Sequence, residues 1–280
     1  MKQYFRMYKK HPKAVALRIL VTAAAALTVL MLFSLVFYIL IKGIPNLKPS
    51  LFEWKYTSKN ASMMPAIINT ITMVLMTLLI AVPFGIGSAI YLTEYAKRGN
   101  KVVPVIRMTT ETLSGIPSIV YGLFGYMAFV RWLDWGYSLM AGIITLAIMI
   151  LPLIMRTTEE ALLAVPDSYR EGSYGLGAGR LRTIFRVVLP SAMPGILSGV
   201  ILGVGRIVGE TAALIYTAGS VTGVPTSLMS SGRTLAVHMY ALLSEGLYTD
   251  EAYATAVVLL VLVFIINRLS AYVANKIQNR

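Results

Sequence analysis

The chain has 280 residues, 57% hydrophobic and 13% charged, with a formal charge of +13 and no cysteine. A soluble domain carries about 25% charged residues, so a water-soluble globule is excluded, as are disulfides and thiolate chemistry. Two histidines, His11 and His238, stand far apart without a carboxylate cluster, which leaves no metal site of ordinary ligand spacing. The positive charge sits at the ends of hydrophobic runs, where orientation signals lie. The partner it implies is a lipid bilayer and not a nucleic acid.

The first apolar run, Ala14 to Ile41, follows a basic N-terminus. It exceeds the roughly 7 to 15 residues of a secretory h-region. Its small residues Ala23 to Ala26 also come early in the run, so it reads as a retained span. A polar loop with Trp54 and Tyr56 then suits a membrane interface. The second run is Ala66 to Leu92, interrupted late by Pro83-Phe84-Gly85-Ile86-Gly87. The third, Val105 to Val130, contains Ser114-Gly115-Ile116-Pro117-Ser118, and Asp134-Trp135 after it suits a tight turn. The fourth, Tyr137 to Met155, carries Pro152. A long polar stretch, Arg156 to Pro190, precedes the fifth, Ala192 to Ala218, and the sixth, Ala252 to Tyr272.

Each run is near or above the roughly 20 residues that cross about 30 Å of hydrocarbon. The expected fold is therefore all-α and integral to the membrane, with six transmembrane helices and both termini on one side. Three parts are expected: residues 1–64, with the basic N-terminus, first span and external loop; a core over 65–272; and a tail over 273–280.

Most of the 25 Lys and Arg residues fall on one face: the N-terminus to Arg18, the Lys97–Arg107 connection, the Arg156–Arg186 stretch and the C-terminus. By the positive-inside rule this face, with both termini and loop 156–190, is cytoplasmic.

Pro83, Gly115 and Pro117 interrupt spans where lipid exposure would be costly, so these stretches face protein or a water-filled path. Ordinary kinked packing and a part in a gate both satisfy that constraint. In the fifth span Gly195, Gly199 and Gly203 recur every four residues, as do Gly205 and Gly209, a face that admits close helix contact. Arg206 and Glu210, at i and i+4, are expected as neighbours on one helix face. Ionisable groups at that depth face the protein interior. They form either a self-contained ion pair or an anion-path lining, in which Glu210 holds the guanidinium and Thr211 adds a hydroxyl donor. Guanidinium suits either role, because its planar fork matches carboxylate and phosphate oxygens.

No phosphate-cradling G-x-x-x-x-G-K-[ST] loop occurs. Gly175-Leu176-Gly177-Ala178-Gly179 lacks the strand and βαβ setting of a dinucleotide site. Two remote histidines support no catalytic triad. The chain is read as a transport subunit with no cofactor, metal or catalytic residue of its own.

Residues 171–190 do carry a signature. Glu171-Gly172-Ser173, three residues, Gly177, nine residues, then Val187-Val188-Leu189-Pro190 resembles the E-A-A-x3-G-x9-I-x-L-P loop of type-1 ABC importer membrane subunits. The two alanines are replaced here by Gly172 and Ser173, and the isoleucine by Val187. Ala89 to Gly99, Ser114 to Tyr126 and Gly205 to Leu214 are similar to the phosphate-transport permeases of that family, PstA type.

The resemblance implies a phosphate importer of the bacterial inner membrane. Its partners would be a sister permease (PstC type), a pair of ATP-binding subunits (PstB type) that use ATP and Mg, and an external phosphate-binding protein (PstS type). It also implies that loop 171–190 forms a coupling helix docked on the ATPase. In it Glu171, Gly177, Leu189 and Pro190 are anchors; Gly177 permits the turn, and Leu189-Pro190 restart the chain toward the next span. Arg180, Arg182 and Arg186 lie on its polar side, or simply obey the positive-inside rule. The sister-permease position, another oxyanion such as molybdate or sulfate, and a gradient-driven symporter or channel remain alternatives.

Overall fold

A computed structural model describes residues 12–278, residue 98 excepted, and all regular structure among them is helical. Lys2, Arg6, Lys9, Lys10, His11, Arg98 and Arg280, which enter the charge and metal arguments, lie outside the described residues.

Eleven α-helical segments follow in order among the described residues. Helix α1 is Pro12–Gly43, and α2 is Met64–Ile90, prolonged by a π turn over Tyr91–Tyr95. Helix α3 is Val102–Ser114; α4 is Ser118–Gly125, prolonged by a π segment to Trp132. Helix α5 is Leu139–Leu163, α6 is Asp167–Gly175 and α7 is Arg180–Thr183. A π turn over Ile184–Val188 joins α7 to α8, Leu189–Val208. The last three are α9 (Ala212–Thr217), α10 (Leu235–Glu245) and α11 (Thr249–Gln278). Five continuous segments are long and apolar enough to cross a bilayer, and α3 with α4 makes a sixth if the bent pair is one span.

Helix α5 is the centre. Leu139, Ile143, Leu146, Met149, Ile150 and Ile154 are fully buried and lie at the i, i+3, i+4 spacing that puts apolar side chains on one side of a helix. Ser138 caps its N-terminus by accepting from the Ala141 N–H at 3.2 Å. Helices α2 and α8 pack on its two flanks. The α8 contact is made through the expected glycine face: Gly195 lies against Ala161, Gly199 against Thr157, and Gly203 toward Ile150 and Ile154. A Cβ at Gly199 would lie 2.7 Å from the Thr157 Cβ, whereas one at Gly205 would meet nothing within 4 Å. The first glycine row thus buries a helix contact, and the second makes none within this chain.

Two expected spans are broken. The third divides at Gly115-Ile116-Pro117, with its halves bent by 100°. Pro117 has no N–H and takes extended ψ 142, so the helix stops before it and restarts after it. Tyr121 Oη donates across the bend to the Leu113 carbonyl at 2.8 Å. The fifth span stops at Val208, and the chain turns through Gly209-Glu210-Thr211 into the short α9. Helices α4 and α9 pack on each other, with Gly122 against Ala213. Pro83, by contrast, sits inside an unbroken α2.

Around α10 an apolar cluster that includes Leu51, Met63, Leu235 and Leu242 adjoins a small polar group. Arg233 lies over the Tyr56 ring at 4.6 Å, and Tyr56 meets His238 edge-on at 6.1 Å. His238 is fully buried. The Asp134-Trp135 turn is present, with Asp134 at φ 53 and Trp135 stacked on Phe129 at 5.5 Å. Helix α1 has none of its apolar length buried. It meets the rest of the chain along α11, most tightly where Gly43 abuts Tyr253.

Two outcomes follow from this packing. Gly199→Val should destabilise the detergent-solubilised chain by about 1–3 kcal/mol in thermal unfolding, while Gly205→Val should melt as wild type does. Burial, aided by Arg233, lowers the His238 pKa from 6.5 to about 3. The folded state thus resists a proton that the unfolded state accepts. Stability is full above pH 6.5 and falls as pH drops from 6.5 toward 3, and in unfolding midpoints measured against pH His238→Leu should lose that component.

Candidate functional site

Two regions carry the residues singled out from the sequence. The first is the break between α8 and α9. Arg206 is half-buried in the last turn of α8. Glu210 is 8% exposed, but it lies beyond the helix end and does not pair with Arg206. Its Oε1 accepts instead from the Ala213 N–H at 3.0 Å, which caps the start of α9. The expected Arg206–Glu210 ion pair is therefore absent, because Gly209 ends the helix before the fourth residue can come round to the same face. Among the described residues Arg206 has no ion-pair partner. Thr211, half-buried at the N-cap position of α9, turns its hydroxyl to the Gly209 carbonyl at 3.4 Å. Arg206, Glu210 and Thr211 thus flank the break within six residues of chain, with no ion pair among them.

The second region is the loop of the signature. Helix α6 presents Glu171 to solvent and ends at a turn in which Gly177 has φ +81. That left-handed backbone favours glycine. The Gly177 N–H donates to Tyr174 O at 2.9 Å and that of Ala178 to Ser173 O at 3.1 Å. Ser173 and Thr183 hydroxyls meet at 2.8 Å across the turn. Leu176 at the tip is 91% exposed.

Leu189 and Pro190 do not restart a helix. The helix begins at Arg180 and runs through the π turn into α8 without a break. The wider π turn absorbs the hydrogen bond that Pro190 cannot make. Arg180 lies over the Tyr95 ring at 4.8 Å and so faces the end of α2. Of the interrupting residues, Gly115 and Pro117 form the hinge of the third span and Pro83 lies in the α2 helix, remote in the chain from both.

What fastens the loop to the spans was not evident from residue spacing. Arg170 is a hub: Nη2 bonds Glu94 Oε1 at 2.7 Å and Leu162 O at 3.0 Å. Its Nη1 reaches Val165 O at 2.8 Å and Asp167 Oδ1 at 3.2 Å. The two side chains are 15% and 6% exposed. One guanidinium thus joins α6 to the end of α2 and to the last carbonyls of α5. A few residues away Arg107 of α3 pairs with Glu159 of α5 at 2.5 Å. An open cavity of about 550 Å³ lies between the α2 end and α6, lined by Glu94, Tyr95, Lys97, Arg170, Tyr174 and Arg180. The signal for Arg170 was only its position before Glu171, and for Glu94 only an acid at the end of an apolar run.

Residues 81–279 match the family described as binding-protein-dependent transport system inner membrane component. The chain belongs to that family and is a multi-pass permease component of the ABC importer type. It is 34% identical over 277 residues to a Bacillus subtilis protein called probable ABC transporter permease protein YqgI, covering 91% of this chain and 93% of that one. It is 41% identical over 165 residues to the phosphate transport system permease protein PstA 2 of Mycobacterium bovis, covering 59% and 54%. A Mesorhizobium japonicum phosphate transport system permease protein PstC is 31% identical over 256 residues, covering 81% and 78%. Among solved structures, a chain of a bacterial alginate ABC transporter in complex with alginate pentasaccharide-bound periplasmic protein superposes with TM-score 0.71 at 16% identity, covering 98% of both chains. A chain of the inward-facing MetNI methionine ABC transporter superposes with TM-score 0.59 at 20% identity, over 76% of this chain and 93% of that one. These two likenesses establish the type-1 importer permease fold.

The Arg170 hub predicts an asymmetric response. Arg170→Ala leaves the buried Glu94 carboxylate without a counter-charge and should cost about 3 kcal/mol or more. Glu94→Gln keeps an acceptor and should cost less. Hydrogen exchange of α6 amides measures both, and equal protection in the two variants and wild type would remove Arg170 as the fastening.

Proposed function

We propose that the chain is one of two permeases in an ATP-driven inorganic phosphate importer of the bacterial cytoplasmic membrane, with both termini and loop 156–190 on the cytoplasmic side. The observation that carries this reading is Arg206: a half-buried guanidinium at a break between two helices, without an acid to neutralise it among the described residues. A permanent cation inside an apolar span is costly unless it meets an anion or water. Its fork of donors suits phosphate oxygens. The relatives named as phosphate permeases support the choice of anion.

Coupling falls to the exposed α6–turn–α7 segment, with Glu171, Gly177 and Arg180 on its surface. Leu176 projects from its tip, as an apolar contact for a partner would. The partner is read as an ATP-binding subunit pair that holds ATP and Mg, since this chain has no phosphate-cradling motif. An external phosphate-binding protein delivers substrate, and a sister permease completes the path. Movement of α6 on the ATPase reaches α2 and α5 through Arg170, and alternating access results. The PstC-named relative aligns over most of the chain, so the sister position is the second reading.

Reconstitution of the chain with its ATPase, sister permease and binding protein tests the proposal. Phosphate uptake should require ATP, and sulfate or molybdate should not replace phosphate. Arg206→Ala should reduce uptake at least about tenfold, the worth of roughly 1.5 kcal/mol or more for a charged hydrogen bond, with assembly intact and Arg206→Lys intermediate. Uptake without ATP, or full uptake by Arg206→Ala, would each defeat a part of it.

A further inference from the structure

On the flank of α2 and α3 two further cavities adjoin, the second sharing Lys97 with the cavity beside α6. The first is an apolar groove of about 450 Å³, lined by Pro83, Phe84, Gly87, Leu92, Ile106 and Met155. From Pro83 to Leu92 it follows about 14 Å of helix. A Cβ at Gly87 would meet nothing within 4 Å, so the groove is open along its floor. The second cavity, about 430 Å³, is lined by Leu92, Lys97, Asn100, Lys101, Pro104 and Arg107. Leu92 belongs to both, and Ile106 of one precedes Arg107 of the other, so the groove runs directly into the basic cavity.

Charge distinguishes the two ends. No Asp or Glu lines the second cavity among the described residues. Lys97 and Lys101 are exposed and have no ion-pair partner there, while Arg107 is anchored on Glu159. The basic end lies beside α6 and the Arg170 hub, where the polar connections of the chain gather, and the apolar end runs back into the span. This order, cations at the polar boundary and an open apolar channel beneath them, is that of a phospholipid lying in a leaflet. A free anion would need only the basic end. A packed protein helix would leave the two lysines without partners.

We propose that this paired site holds one anionic phospholipid, its phosphate among Lys97, Lys101 and Arg107 and an acyl chain in the groove. Basic pockets at a helix boundary recognise such headgroups at about a fivefold gain in affinity for each lysine near the surface. The bound lipid would rest between the end of α2 and α3, beside the hinge half of the broken span. This inference is independent of the transported substrate, since it concerns the membrane alone.

Native mass spectrometry of the full chain in a mild detergent, with phosphatidylglycerol, phosphatidylcholine and inorganic phosphate as probes, tests it. Phosphatidylglycerol should be retained about tenfold over phosphatidylcholine. The double variant Lys97→Gln, Lys101→Gln should lose about 20-fold in phosphatidylglycerol affinity with phosphatidylcholine unchanged. Gly87→Leu, which fills open space, should lower retention of both lipids without lowering the melting temperature. Wild-type phosphatidylglycerol binding by the lysine variant would overturn the proposal. So would displacement of the lipid by inorganic phosphate with no effect of Gly87→Leu, which marks a free-anion site. Crosslinking of Gly87→Cys to another subunit in the assembled complex would show the groove to be a protein interface, and would overturn it as well.

Discussion

A helix that stops inside a bilayer exposes backbone donors and acceptors that hydrocarbon cannot satisfy, and this chain stops twice. The breaks at Gly115–Pro117 and Gly209–Thr211 are tolerated because each is closed by groups from elsewhere. Tyr121 bridges the first, and Glu210 caps the helix after the second. The segments that follow, α4 and α9, then bury their faces on one another and on α5. Much of the remaining architecture serves this closure: α5 gives the apolar wall, and the glycine row of α8 lets the backbones approach closely enough to exclude lipid.

The polar fastenings concentrate at one end. Glu159 and the carbonyls of Leu162 and Val165, at or just past the close of α5, receive Arg107 from α3 and Arg170 from α6. A displacement of α6 is therefore shared by α2 and α5 through a single guanidinium. Buried ion pairs contribute little net stability, but removing one member is expensive, which makes them fixed joints and not adhesives. Arg206 is the opposite case, a cation without an ion-pair partner among the described residues, at the place where the span breaks.

The long apolar spans were legible because they rest on a local rule, run length, and the turn at Gly177 was placed by the spacing of the signature. The break after Val208 was not. Hydropathy continues through Ala212 to Ala218, and nothing in that average records that Gly209 would end the helix and turn Glu210 to capping. The same blindness hid the continuity across Pro190, where a π turn replaced the expected stop. Arg170 and Glu94 are 76 positions apart, and single-sequence reasoning has no access to a contact of that range. The loop's signature located the region, but the Arg170 contacts that tie it down are visible only in the folded chain.

The bare surface of α1 has a consequence for how the molecule is made. This helix is apolar enough to enter the membrane unaided, yet its tightest contact, Gly43 with Tyr253, lies about 200 residues further along the chain. At synthesis rates of about 5–20 residues per second, the first helix waits in lipid for roughly 10 to 40 s before its partner exists. Throughout that interval its position depends on hydropathy and flanking charge alone. The first and last helices thus close the molecule in the order of translation, and an error in the orientation of α1 would not be felt by the core until assembly was otherwise complete.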